Sequence, residues 1–128
     1  MREIMDALSA HLAGTPGAPL LVWPHMEGAF EAPYWRVQHL APGYRRPGLS
    51  HDHVLEGAML VYVVVDPEEA HTAAPMVDAV RARFAPPLAL AAGLYRVQCE
   101  DAVVPEPPEH DGTFWRTVVP IRWRAYSA

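Results

Sequence analysis

The sequence is poor in the groups from which covalent and metal chemistry is built. Its single cysteine, Cys99, rules out an internal disulfide and leaves too few thiolates for a structural zinc site. No glycine-rich phosphate loop of the form GxxxxGK[ST] occurs, and Ser9, Ser50 and Ser127 sit in no nucleophile-elbow pattern. Positive charge is also short. Ten cationic side chains face fifteen acidic ones, for a net charge of -5 and a pI near 5.7, the reverse of the basic excess a dedicated nucleic-acid binder carries. No run approaches the roughly 18 apolar residues that a membrane span requires, which predicts no contact with a bilayer. The opening MREIMDALSAHLAG breaks its apolar pattern with acids and polar residues. It is expected to be a helix and not a signal peptide, in a protein made and kept in the cytosol.

What remains is a 128-residue chain, 51% hydrophobic. At that length one domain spanning residues 1–128 is expected, able to bury roughly two-thirds of the surface its unfolded form exposes. The chain is organised around HDHVLEGAMLVYVVVD, His51 to Asp66. From Ala58 to Val65 both alternating registers are apolar, with Met59, Val61, Val63 and Val65 on one side and Ala58, Leu60, Tyr62 and Val64 on the other. Such a strand is covered on both faces and lies inside a sheet.

The other elements follow from periodicity and punctuation. Ile4, Leu8 and Leu12 give one apolar stripe on a helix from Arg2 to Leu12. Leu20 to Trp23 reads as a brief strand, Tyr34 to Leu40 as a half-buried one. Ala41 to Asp52, with Pro42, Gly43, Pro47 and Gly48, is expected to be a long loop. Asp66-Pro67-Glu68-Glu69 looks like a capped helix start, but Pro75 favours a start between Asp66 and Thr72, in one piece or two. Ala73, Val77, Val80 and Phe84 form the buried stripe of that second helix. Leu94 to Ala102 is a strand with one wet face, Val104 to Gly112 an extended polar connection, and Thr113 to Tyr126 a long strand. Pro120 puts this last strand at an edge, or in a bulge, at that point. The fold class is α+β: a two-layer sandwich of a mostly antiparallel sheet with two helices on one face.

Two clusters invite a chemical reading. His51 and His53, at i and i+2 on a strand, point to one side and have the geometry of a metal pair. A third ligand is supplied by no spacing, and nothing in the sequence brings His39 or His110 to the pair, so a polar strand start is the favoured reading. Arg36, Arg96, Arg116, Arg122 and Arg124 occupy the outward registers of three strands. They form either a basic patch or, the favoured reading, a solvated face paired with Glu56, Glu100 and Asp101. Of the four tryptophans, Trp35, Trp115 and Trp123 lie in apolar registers and belong to the core.

The order of elements, together with the phrases APYWRV (Ala32 to Val37), MVDAVRARF (Met76 to Phe84) and IRWRA (Ile121 to Ala125), resembles the tail terminator proteins of long-tailed bacteriophages. The likeness extends to the related domain in prophages and gene transfer agents and covers nearly the whole chain. The resemblance implies a structural virion protein at the head-proximal end of the tail, held in the host cytoplasm before assembly. It implies a homohexameric ring that caps the tail tube, ends its polymerisation and offers the head-closure protein a joining surface. DNA passes through such a ring without sequence-specific binding, and no cofactor or catalytic residue is carried over. Subunit contacts are expected from Tyr44, Arg45 and Arg46 in the first loop, or from Glu106, Glu109 and Asp111 in the second. The alternatives are a head-closure or connector protein of the same particle, a small metal-dependent enzyme using His51 and His53, and a monomeric binding module using the arginine face.

Overall fold

Ile4, Leu8 and Leu12 recur at helical spacing and are fully buried along one side of helix α1, Arg2–Ala13. The helix stops where Gly14 N–H turns back onto the Ala10 and His11 carbonyls and the Thr15 hydroxyl donates to Leu12 O at 2.6 Å. The computed structural model describes residues 2–45 and 54–127. Strands β1 (Leu20–Val22), β2 (Tyr34–Arg45) and β3 (Val54–Val65) follow. A 3-10 turn, Pro67–Thr72, leads into helix α2, Ala73–Arg83. Then come β4 (Leu88–Ala92), β5 (Tyr95–Cys99), β6 (Glu109–Asp111) and β7 (Phe114–Ser127).

The strands form one sheet in the order β1-β2-β3-β7-β5-β4, with β6 beside the start of β7. Only the β1–β2 pairing is parallel. The class is α+β as expected, but the sheet is mixed and curls into a half-barrel in place of a flat two-layer sandwich. Helix α1 lies against β4 near one end of the strand order, while its Ser9 hydroxyl meets His39 of β2 near the other, at 3.3 Å. The sheet therefore wraps around α1. Helix α2 packs on β3 and β7 and is tied to α1 by a reciprocal pair. Arg83 Nε donates to His11 O and His11 Nε2 to Arg83 O, both at 2.8 Å.

Both helices share one core with the odd-numbered register of the long strands: Trp35 and Val37 of β2, Met59 through Val65 of β3, Val119 through Ala125 of β7. Gly57 lets strand and ring approach, because a Cβ there would meet the Trp123 indole, 2.8 Å from Cε2. Cys99 is packed in this core, and burial pushes its thiol up to about 11, so it is uncharged at neutral pH.

Several local expectations change. Ala41 to Arg45 is not loop. It continues β2 antiparallel to β3 across a register shift between Leu40 and Gly43, a bulge that sets Ala41 and Pro42 opposite Gly57. The proposed capping box is absent: Asp66 makes no side-chain cap bond, and the two-piece start is realised as the 3-10 turn, with Pro75 in the first turn of α2. Strand β4 escapes sequence reasoning because its LALAA is rich in alanine, a residue depleted in strands. The wet-faced strand ends at Cys99, short of Ala102. Val104 to Gly112 holds β6, whose tight turn to β7 places Gly112 at φ +57. Pro120 pairs with Leu60 in an unshifted β3–β7 register, so there is no bulge. The other side of β7 is laddered only at 114–116 by β6 and at 124–127 by β5. Pro120 thus lies in an edge-like gap of an otherwise central strand.

Candidate functional site

The even-numbered register of β2, β3 and β7 forms the convex face of the sheet, with no helix over it. Its rows run Tyr34–Val64–Arg116, Arg36–Tyr62–Val118, Gln38–Leu60–Pro120 and Leu40–Ala58–Arg122. At the first row the chain covers itself. Met26, Phe30 and Ala32 fold over Val22, Tyr34 and Val64 as a small second core, with Tyr34 stacked edge-on to Phe114 at 6.2 Å between ring centroids. Val64 is 4% exposed there. One row on, Tyr62 and Leu60 are half-buried, and Leu40 is exposed.

Arginines and aromatics lie together on this face. The Arg116 guanidinium sits over the Tyr62 ring at 5.3 Å and bridges to Glu109 at 2.9 Å. Arg36 sits over Phe30 at 5.9 Å, and Tyr62 donates its hydroxyl proton to Gln38 Oε1 at 2.8 Å. Arg36, Gln38, Tyr62 and Arg116, with Tyr34 and Phe114, line a groove of about 270 Å³. Further along, Arg124 pairs with Glu56 at 3.1 Å and Glu100 at 3.6 Å beside a second groove of about 400 Å³. Glu56 holds the Arg124 guanidinium protonated even more firmly than usual. Pairing with Glu56 and Glu100, the favoured reading, thus holds for Arg124, whereas Arg116 pairs with Glu109, outside the expected set. Among the described residues, Arg96 and Arg122 make no ion pair and are exposed. All ten cations of the chain are arginine, the side chain best shaped for planar, two-pronged recognition of carboxylates.

The sequence-derived interface residues are not brought together. Tyr44 and Arg45 end β2 opposite Leu55 and Val54, and Arg46 lies outside the described residues. Glu109 and Asp111 pair with Arg116 and Phe114 beyond the other end of β3. At about 3.3 Å per strand residue the two groups are roughly 30 Å apart along the sheet. Glu106 is exposed, and its backbone N–H donates to Val118 O at 2.9 Å. Glu109, expected in an extended polar connection, is held on β6 by Arg116. The apolar even register of β3 and the arginine registers were visible in the sequence; how they join into one convex face was not, because the rows that flank β3 depend on strand order.

His51 and His53 lie outside the described residues. Among those described, no group of three His, Cys, Asp or Glu side chains is placed to hold a metal. Of the distant candidates, His39 is turned into the concave side against Ser9, and burial lowers its pKa despite Asp6 nearby. His110 stacks on Trp115 at 6.3 Å. Among the described residues no helix is long and apolar enough to cross a membrane.

Fold and face together define a class: a small α+β protein whose recognisable chemistry lies on a broad surface. No curated protein sequence matches it. One solved structure superposes over 99% of this chain and 94% of its own, with a TM-score of 0.65 at 19% identity, a likeness of fold alone. The family model for phage tail terminator protein matches residues 3–123, and the chain belongs to that family. It is accordingly a structural component of a phage tail that interacts with other tail components.

Proposed function

We propose that this protein caps the phage tail tube as a hexameric ring, ends tube polymerisation and presents the surface on which the head-closure protein docks. DNA passes through the ring without sequence-specific contact. The observation that carries the reading, beside family membership, is the unfinished cover of β3. Its odd register is sealed by the helices, whereas of Leu60, Tyr62 and Val64 only Val64 is buried by the chain's own loop. Half-buried apolar side chains framed by arginines fit a contact between proteins. The roughly 30 Å between Tyr44–Arg45 and Glu109–Asp111 gives the protomer two unlike ends, as a ring needs when one rim meets the tube and the other the head.

The test is reconstitution. Tail tube protein polymerised with the purified chain is expected to give tubes of arrested length with a six-fold ring at one end in electron micrographs. Uncapped tubes of unchanged length would overturn the reading. Arg45→Glu with Arg46→Glu is expected to weaken joining, and unimpaired ring formation and joining would remove Arg45 and Arg46 from the contact.

A further inference from the structure

The two broad sides of the protomer carry opposite charge. Among described side chains, the convex side holds Arg36, Arg96, Arg116, Arg122 and Arg124 against Glu56 and Glu109 on the strands and Glu100 and Asp101 beside them, and so keeps a positive balance. The helical side, formed by α1, the 3-10 turn and α2, holds Glu3, Asp6, Glu68, Glu69 and Asp78 against Arg2, Arg81 and Arg83. Arg83 is spent on α1, and Arg81 on Asp78 and the Val103 carbonyl. A chain of net charge -5 has therefore gathered half of its arginines on one face and left the opposite side acidic.

We propose that the convex face seats the acidic helical side of a second copy of this chain, face to back. The inference rests on the ring reading and names the contact within it. The alternative self-contact, convex face on convex face about a two-fold axis, sets arginines against arginines, and like charges brought together across an interface cost several kcal/mol. Face-to-back contact sets a net positive face against a net negative back, seats Leu60 and Tyr62 at its centre, and is heterologous. Repeated with a fixed rotation it closes a ring. Arg96 and Arg122 are the cations such a neighbour would engage first, because neither is spent within the chain.

Two variants test this. Arg96→Glu with Arg122→Glu reverses the convex face, and Glu68→Arg with Glu69→Arg reverses the back. Both pairs are exposed, and thermal melts establish that each variant folds. Ring formation is read by sedimentation, with and without tail tube protein. Each variant alone is expected to need about tenfold more protein to assemble. An equimolar mixture is expected to recover parental assembly, since reversed face meets reversed back and normal face meets normal back. Parental assembly by the Glu68→Arg, Glu69→Arg variant alone, or a mixture no better than its parts, would overturn the face-to-back contact and leave the ring reading standing. A parent chain that forms no ring even with tube protein present would overturn the ring reading and this contact with it.

Discussion

Strand β3 has two faces of nearly equal hydrophobicity and unequal fate. On the concave side Met59, Val61, Val63 and Val65 are sealed beneath two helices. On the convex side Val64 is covered by a loop while Leu60 and Tyr62 stay half in solvent. Composition does not separate the faces; what was available to cover them does. The helices carry one apolar stripe each, and both stripes are used up on the concave side. The contrast predicts that concave-side substitutions act on folding, and convex-side ones on association.

The largest effect is expected from Trp35→Ala, which opens a cavity in the concave core and should cost about 3–5 kcal/mol of unfolding free energy, read from denaturant titration. Gly57→Ala, on the same side, forces a methyl group against the Trp123 ring and should cost about 1–3 kcal/mol by overpacking. Leu60→Ser, on the convex side, should lower monomer stability by about 1 kcal/mol or less yet reduce assembly on tail tubes. A loss of stability near that of Trp35→Ala would erase the distinction between the faces. Tyr62→Phe removes only the exposed bond to Gln38 and should change stability by about 0.5 kcal/mol or less.

The smallest effect is a pH dependence. Burial lowers the His39 pKa in the folded chain, so below about pH 6.5 the unfolded chain takes up this proton more readily. The contribution is present above that pH and is lost as pH falls toward the folded value. His39→Gln should flatten the slope of stability against pH just below about 6.5. An unchanged slope would show that His39 titrates as if it faced solvent.

The concave side was legible because its residues obey single-element rules. Ile4, Leu8 and Leu12, Val77 and Val80, and the odd residues of β3 declare their burial by spacing alone. On the convex side the apolar register of β3 and the outward arginines were legible, but their partners were not. The pairing of Arg116 with Glu109, and of Arg124 with Glu56 and Glu100, depends on which strands become neighbours. The mistaken loop at Ala41 to Arg45 has a related cause: Pro42 and Gly43 carry turn chemistry locally, and only the ladder to β3 makes a bulge of Ala41 and Pro42 and a paired residue of Gly43. Strand β4 exists for the same reason, its alanines being ordered by β5 and α1 more than by their own preference.

The gap along β7 has a consequence for the chain before it meets any partner. Between the segments laddered by β6 and β5, the long final strand presents an edge to which, among the described residues, the neighbouring 100–108 segment gives one backbone bond, Glu106 to Val118. An open edge beside a valine- and isoleucine-rich strand is a template on which further chains can add and grow into fibres. Pro120 withdraws a donor from the edge itself, and Pro105, Pro107 and Pro108 keep the adjoining segment from extending the ladder. Four imino acids thus guard the place where a concentrated pool of these subunits would otherwise be most exposed to runaway aggregation.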